Sequence, residues 1–316
     1  MSDAGLILRC DLHVHSRYSG PSTLPVLGRI VQECYSEPGE VYDTARRRGM
    51  HLVTLTDHDS VAGALELAGR PDTFISEEVT CLVGGRELHL GVFDITEAQH
   101  EGLQSRRRDL EALFAYAAEN RLPVCVNHPF SSLTGARGEG DLPLAFSGAT
   151  HVEARNGMMS ARSNAHARDA GRRARLAGCG GSDAHTLASV ARTFTVVAGR
   201  DREDFLAGLR AGLTLPVGRA GTYAGLTADL VRLSVLAARD QATRAARGDL
   251  REMARLGALL ALGAFLPLLP LFTAVTYAEE QIFAWRHFRR FTRKRPSSWK
   301  QRPPLFGAPA AGATLR

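Results

Sequence analysis

Short apolar runs alternate with polar stretches of helical period through the first two-thirds of the chain. Residues 6–8, leading into Leu12 and Val14, read as a strand, and residues 51–56 as another. Between them, residues 38–49 read as a helix whose basic run, Arg46-Arg47-Arg48, closes on Gly49. The same reasoning predicts strands at 74–75, 81–83, 88–93, 124–127, 151–154 and 193–197. It predicts helices at 97–120, 163–177 and 202–211. Repeated strand-then-helix order argues for a parallel sheet, as a barrel or a doubly wound layer. No GxGxxG follows the first strand and no GxxxxGK[ST] occurs, so the two common nucleotide cradles are unsupported.

From about Gly221 the pattern changes. Residues 226–255 form a long Ala-, Leu- and Arg-rich helical pattern, and 256–278 are 23 residues without a charge, interrupted by Pro267 and Pro270. A basic tail rich in Pro, Gly and Ala ends the chain, and its composition predicts disorder. The expected division is an α/β unit at 1–220, a helical extension at 221–295 and the tail at 296–316.

With 44% hydrophobic and 23% charged residues, collagen-like, coiled-coil and wholly disordered readings are excluded. The net charge of +6 belongs to the tail: nine of the 39 Lys and Arg residues follow Glu280, where there is no acid. The remaining 30 face 33 acids, a net of −3 for residues 1–280. A nucleic-acid partner therefore does not follow from the high isoelectric point. The five cysteines, Cys10, Cys34, Cys81, Cys125 and Cys179, are scattered and never spaced CxxC. Buried, reduced thiols fit better than disulfides or a structural zinc site. The first residues lack the apolar core of a secretory signal, which predicts a cytoplasmic body.

Chemistry-bearing residues recur at the ends of the expected strands. His13 and His15, in Asp11-Leu-His-Val-His, fall on one face because strand side chains alternate. Thr56-Asp57-His58-Asp59, Glu77-Glu78, His89, Asn127-His128-Pro129 and Gly181-Ser-Asp183-Ala-His185 follow in order. In a barrel such ends meet at one mouth. Imidazoles and carboxylates are the ligands of Zn, Mn and Fe, and this many exceed the needs of one four-coordinate ion. Two or three divalent ions are expected, an arrangement suited to phosphoester hydrolysis.

The ordered segments DLHVHS, LTDHDS, EEVT, HLGVF, NHPF and GGSDAH resemble the motif series of the PHP (polymerase and histidinol phosphatase) superfamily over roughly residues 8–200. Within it, the wording is closest to bacterial phosphoesterase-like members. The resemblance implies an α/β fold, a distorted (β/α)7-type barrel with a metal cluster at the C-terminal ends of its strands. By motif position the ligands would be His13, His15, His58, Glu78, His89, His128, Asp183 and His185. Glu78 matches rather than Glu77, because Val-Thr follows it. Many members carry an acid a few residues after HxH; here stands Arg17-Tyr18-Ser19-Gly20, so the motif supplies no acid for a third metal position.

The expected function is metal-dependent hydrolysis of a phosphate ester by a metal-activated hydroxide at a di- or trinuclear Mn, Fe or Zn site. Arg17 could clamp the phosphate through bidentate donors or be a solvated loop residue. Asp57 could orient a ligand imidazole or cap the next helix, and His128 doubles as ligand and catalytic candidate. Glu153 and Asn156 end a strand at the same mouth, with substrate and structural roles both open. The alternative function is a non-catalytic barrel that binds metal or a phospho-ligand and acts as a membrane-associated regulatory module. Expected partners are a small phosphorylated substrate or nucleotide, and a membrane surface reached through 256–302. At 1.5 Å per residue, 256–278 would span about 34 Å. A single crossing would export the basic tail, so an interfacial hairpin at the inner face fits the charges better; a helix pair buried against the barrel or a subunit is the third reading. The run Arg106-Arg107-Arg108 lacks interleaved aromatics and reads as a solvated helix face.

Overall fold

The alternating pattern is realised as two sheets wrapped by helices in the computed structural model, which describes residues 6–22, 31–133, 138, 140–247, 250–264 and 266–293. The strands are β1 (Ile7–Asp11), β2 (Leu52–Val53), β3 (Ser76–Val83), β4 (Arg86–Phe93), β5 (Val124–Val126), β6 (His151–Asn156), β7 (Ala177–Gly181), β8 (Thr193–Ala198) and β9 (Leu215–Gly218). The first seven helices are α1 (Pro38–Arg47), α2 (Ala62–Leu67), α3 (Glu97–Gln104), α4 (Leu110–Glu119), α5 (Asp141–Gly148), α6 (Ala161–Ala174) and α7 (Arg202–Arg210). A C-terminal arm follows, made of α8 (Tyr223–Ala245), α9 (Leu250–Gly263) and α10 (Leu269–Arg293).

The chain is α/β, but its hydrogen bonds do not draw one closed, parallel barrel. Strands order as β2-β1-β8-β9 in one sheet and β3-β4-β5-β6-β7 in the other. Only β1–β2, β5–β6 and β6–β7 pair in parallel. The β3–β4 pair is antiparallel because Gly84 and Gly85, both at positive φ, turn the chain directly back. Such a hairpin needs no crossover helix. The sheets meet at both seams through single parallel bridges, Val14↔Ala184 and His58↔Glu78. Strand ends from both sheets therefore face a common mouth without a continuous wall.

The main core lies between the five-stranded sheet and its helices, with Leu90, Leu113 and Phe146 fully buried. A second cluster, including Leu8, Phe74, Phe93 and Phe205, joins the two sheets. A third, including Val14, Val41 and Leu55, seats α1 and α2. All five cysteines are buried and free.

Two expected helices are cut short for identifiable reasons. The 97–120 helix breaks after Gln104 and restarts at Leu110, where the Asp109 side chain accepts from Ala112 N. The 163–177 helix ends at Ala174, and the glycine-rich run after it is β7. Glycine there permits close approach: a Cβ on Gly181 would lie 2.1 Å from the Cβ of His13.

The arm packs back on the body. Ala284 and Phe291 of α10 join the main core, and the Phe146 and Phe291 ring centroids are 5.0 Å apart. The uncharged 256–278 stretch comprises the end of α9, the bend around Pro267 and the start of α10. Here Leu260, Leu266, Leu268, Leu271, Phe272 and Val275 are exposed. No single described helix is long and apolar enough to cross a membrane; 251–261 and 266–293 pass that test only as a pair bent by 49°. The tail 296–316, read as disordered from its composition, lies outside the described residues.

Candidate metal centre

β1 runs on past Asp11 between two neighbours. Thr56 N donates to Val14 O at 2.9 Å, and Asp183 N donates to His13 O at 2.7 Å. This sets the His13-Val-His15 segment between the Asp57-His58 turn and the Asp183-Ala-His185 turn. On the far side of the mouth, β3 presents Glu78, β4 His89 and the loop after β5 His128. Alternation on β3 decides the roles of its two acids. Glu78 faces the mouth. Glu77 faces the opposite side, where it accepts from Gln104 Nε2 (2.7 Å) and pairs with His100 Nδ1 (2.9 Å).

Glu78 is the hub. Its Oε2 lies 3.2 Å from His13 Nε2, 3.5 Å from His15 Nε2 and 3.3 Å from His58 Nδ1. Its Oε1 lies 3.1 Å from His128 Nε2 and 3.4 Å from His89 Nδ1. Asp183 Oδ1 stands 3.4 Å from both His13 Nε2 and His15 Nε2. Atoms about 2.1 Å from one shared ion, at tetrahedral angles, sit roughly 3.4 Å apart. These spacings are those of coordination-polyhedron edges. All eight residues named from the motifs fall into four overlapping groups with ligand atoms within 4.8 Å of one another. Several of these buried ring nitrogens, His58 Nδ1, His128 Nδ1 and both nitrogens of His89, have no hydrogen-bond partner. Buried polar atoms normally find one, so the residues present fit divalent cations.

Surrounding groups fix ring orientation. Glu153 Oε1 is 2.8 Å from His13 Nδ1, which leaves Nε2 for the cluster. Asn156 Nδ2 donates to Glu153 Oε2 (2.8 Å) and Asp183 Oδ2 (3.0 Å), tying the two acids together. Glu153 Oε2 also accepts from His128 N at 2.8 Å, holding that residue at φ 24°. Asp57 touches no ligand ring. It accepts from Ser16 N (2.6 Å), Ser16 Oγ (2.7 Å) and Ser19 Oγ (2.8 Å), and Ser19 Oγ in turn lies 3.0 Å from His15 Nδ1. Arg17 is half-exposed and bonded to Glu37, outside the ligand groups.

Electrostatics suit cations. Burial would raise the Glu78 pKa, but the charges of His13, His58 and His89 outweigh it and hold the carboxyl well below its usual range. Burial, reinforced by His185 and His58, pushes His15 down to about 3, leaving it a neutral donor.

Three contributors escape motif reading. Glu33, on the segment leading into α1, lies 3.5 Å from both His58 Nε2 and His185 Nε2. Asp229 of α8 accepts from Thr186 Oγ1 (3.0 Å) and Ser189 Oγ (2.5 Å), just beyond His185. Glu280 of α10 accepts from Ser131 Oγ (2.8 Å), Ser132 N (2.8 Å) and Leu133 N (3.1 Å), just beyond His128. No sequence signal marks them, because each meets its partners only through the tertiary fold.

Residues 161–214 match the PHP-associated (PHP_C) family. A 63-residue stretch is 30% identical to the uncharacterized protein MJ1587 of Methanocaldococcus jannaschii, covering 19% of this chain; the chain spans about a third of that curated relative's length (33%). PsfC from Pseudomonas syringae PB-5123 superposes with a TM-score of 0.51 at 16% identity, over 73% of this chain and 99% of PsfC. An amidohydrolase from Chromobacterium violaceum superposes with a TM-score of 0.42 at 18% identity, over 65% of this chain and 97% of its own. The PHP-associated match covers the segment that carries Asp183 and His185, and the fold as a whole is similar to that of PsfC.

Proposed function

We propose that this protein is a metal-dependent phosphoesterase. One observation carries the reading: ligand atoms of eight side chains converge at the mouth, while buried ring nitrogens among them have no hydrogen-bond partner among the described residues. Divalent ions held there would act as Lewis acids on a phosphoryl group and make water nucleophilic near neutral pH. The two oxygens of Glu78 face two different sets of imidazoles, the disposition of a carboxylate shared between ions. Glu153 holds the His13 ring through Nδ1, and Asp57, acting through Ser19, does the same for His15. Asp57 is thereby a positioning residue. Arg17 lines a cleft of about 300 Å³ together with Arg239 and Arg244. It must leave Glu37 to meet a phosphate. The strand-end mouth is the interrupted counterpart of a (β/α)7-type barrel mouth.

The test is a panel of phosphomonoesters and phosphodiesters offered to the full chain loaded with Mn²⁺. Hydrolysis of one class is expected, lost in His13→Ala and Asp183→Ala with the circular dichroism spectrum retained. No turnover of either class, or unchanged turnover in either variant, contradicts the proposal.

The arm supports a second, compatible role at an anionic membrane surface. Along the chain its exposed tip, Leu266, Leu268, Leu271 and Phe272, lies between Arg251 and Arg255 on α9, the latter paired with Glu252, and Arg286, Arg289 and Arg290 about four turns further along α10. Apolar groups entering the interface beside basic groups on its rim is the pattern of interfacial binding. Co-sedimentation with vesicles containing phosphatidylserine, reduced by salt, is expected; equal recovery with and without vesicles contradicts it.

A further inference from the structure

We infer that Glu33 is the anionic ligand of a third cation, held with His58 and His185. The inference rests on the metal-centre reading above and names a ligand outside every motif of the sequence. Of the four ligand groups, three contain Glu78 or Asp183, whereas the His15/His58/His185 group is imidazole alone. Within that group His15 Nε2 already faces Glu78 and Asp183, and its Nδ1 is held by Ser19. An ion between His58 Nε2 and His185 Nε2 would therefore have neutral ligands alone, which is costly in a low-dielectric site.

Glu33 supplies that charge from the open side. Its two oxygens divide between the two rings: Oε2 lies 3.5 Å from His58 Nε2 and Oε1 lies 3.5 Å from His185 Nε2. That is again the spacing of two ligands on one ion, not of a tight hydrogen bond. Oε2 is buried and has no hydrogen-bond partner. The rings themselves are stacked as a set, with His15 4.8 Å from His58 and 4.4 Å from His185 between centroids. His185 Nδ1 is 3.0 Å from Asp183 O, which turns its Nε2 toward Glu33.

The segment carrying Glu33 is anchored on both sides, so the placement is built rather than incidental. Glu33 N donates to Gly20 O (3.0 Å), and Pro21 bridges Gln32. Cys34 Sγ donates to His15 O (3.4 Å), Arg17 N donates to Ser36 O (2.9 Å), and Gln32 N donates to the Tyr35 hydroxyl (2.9 Å). The carboxylate therefore returns to the HxH turn from sixteen positions beyond Arg17. It occupies the place for which Arg17-Tyr18-Ser19-Gly20 offers no acid.

The test reads metal, not turnover. Apo full-length protein, Glu33→Gln and Glu37→Gln are titrated with Mn²⁺ by calorimetry, and the bound metal is counted by mass spectrometry after desalting. Glu37 belongs to the same segment but pairs with Arg17 at the surface, so it controls for general loss of negative charge. Glu33→Gln is expected to lose one Mn²⁺ equivalent, or to bind it at least about tenfold more weakly, while Glu37→Gln matches the wild type. Wild-type stoichiometry and affinity in Glu33→Gln overturn the inference, as does equal weakening in both variants. Absence of Mn²⁺ binding by the wild type instead overturns the metal-centre reading itself. Near-ultraviolet circular dichroism of each apo variant must match the wild type, and Glu33→Asp is expected to restore the lost equivalent wholly or in part if Gln fails that criterion.

Discussion

Around Glu78 the side chains are polar and buried; around Leu271 they are apolar and exposed. Leu271 is 66% exposed, whereas Glu78 has no accessible surface. Among the described residues, the strand-end cluster holds nitrogen and oxygen atoms without hydrogen-bond partners, and the arm's tip holds apolar surface that none of them covers. Neither is explained by folding alone. Both arrangements cost stability in isolation, by desolvation in the first case and by exposed apolar area in the second. The first region carries the metal proposal and the second the proposal of an anionic surface. Yet the two regions are mechanically joined. Asp229 and Glu280 reach from the arm to the residues that follow His185 and His128.

The comparison breaks most sharply at the cluster. His13→Ala and Asp183→Ala should lower metal-dependent turnover by on the order of 10³-fold, with tight metal binding lost. Mass spectrometry for metal and steady-state kinetics on the same samples check this. Glu153→Gln should cost less, roughly 10–100-fold in metal affinity, because it orients the His13 ring without reaching the ion.

The junction comes next. Glu280→Ala strips an acceptor from Ser131, Ser132 and Leu133, and should destabilise the fold by about 2–3 kcal/mol. Urea unfolding of the apo protein measures it. If stability falls but metal affinity stays at the wild-type value, the arm braces the fold without bracing the site.

His151 tests burial without metal. Burial pushes it down to about 4. Its folded pKa lies below the ordinary value near 6.5, so its contribution is full above that value and lost as pH falls toward 4. Between pH 7.5 and 5, wild-type apo protein should lose roughly 2 kcal/mol more stability than His151→Asn. Equal losses by urea unfolding would remove this group from the acid response. Smallest of all, Leu271→Glu should change stability by less than about 0.5 kcal/mol while reducing retention on anionic vesicles. A large loss of stability instead would mean that the tip is packed, not exposed.

What could be read in advance follows the range of the determining interactions. The eight motif residues are legible because each stands in a short signature. Six follow the C-terminal end of a strand as expected, whereas Glu78 lies near the start of β3 and His89 in the middle of β4, because these two strands form an antiparallel hairpin. β7 was not legible: Ala-Gly-Cys-Gly-Gly has no strand-forming side chain, and its conformation is set by close packing against His13. The 97–120 stretch has helical period throughout, and its interruption between Gln104 and Leu110 shows only in the turn. The expected parallel closure gave way to a hairpin at Gly84-Gly85, a local signal that the strand-then-helix rhythm obscured. Glu33, Asp229 and Glu280 depend on long-range contacts, to which pattern reading is blind.

The central claim is that the strand-end cluster is a multi-ion site. Crystals of the full chain soaked in Mn²⁺, with diffraction recorded at the manganese absorption edge, test it most directly. At least two anomalous peaks are expected within bonding distance of Glu78, Asp183 and the imidazoles of His13 and His15. A map without peaks there, from protein whose cluster side chains keep their positions, would contradict the account.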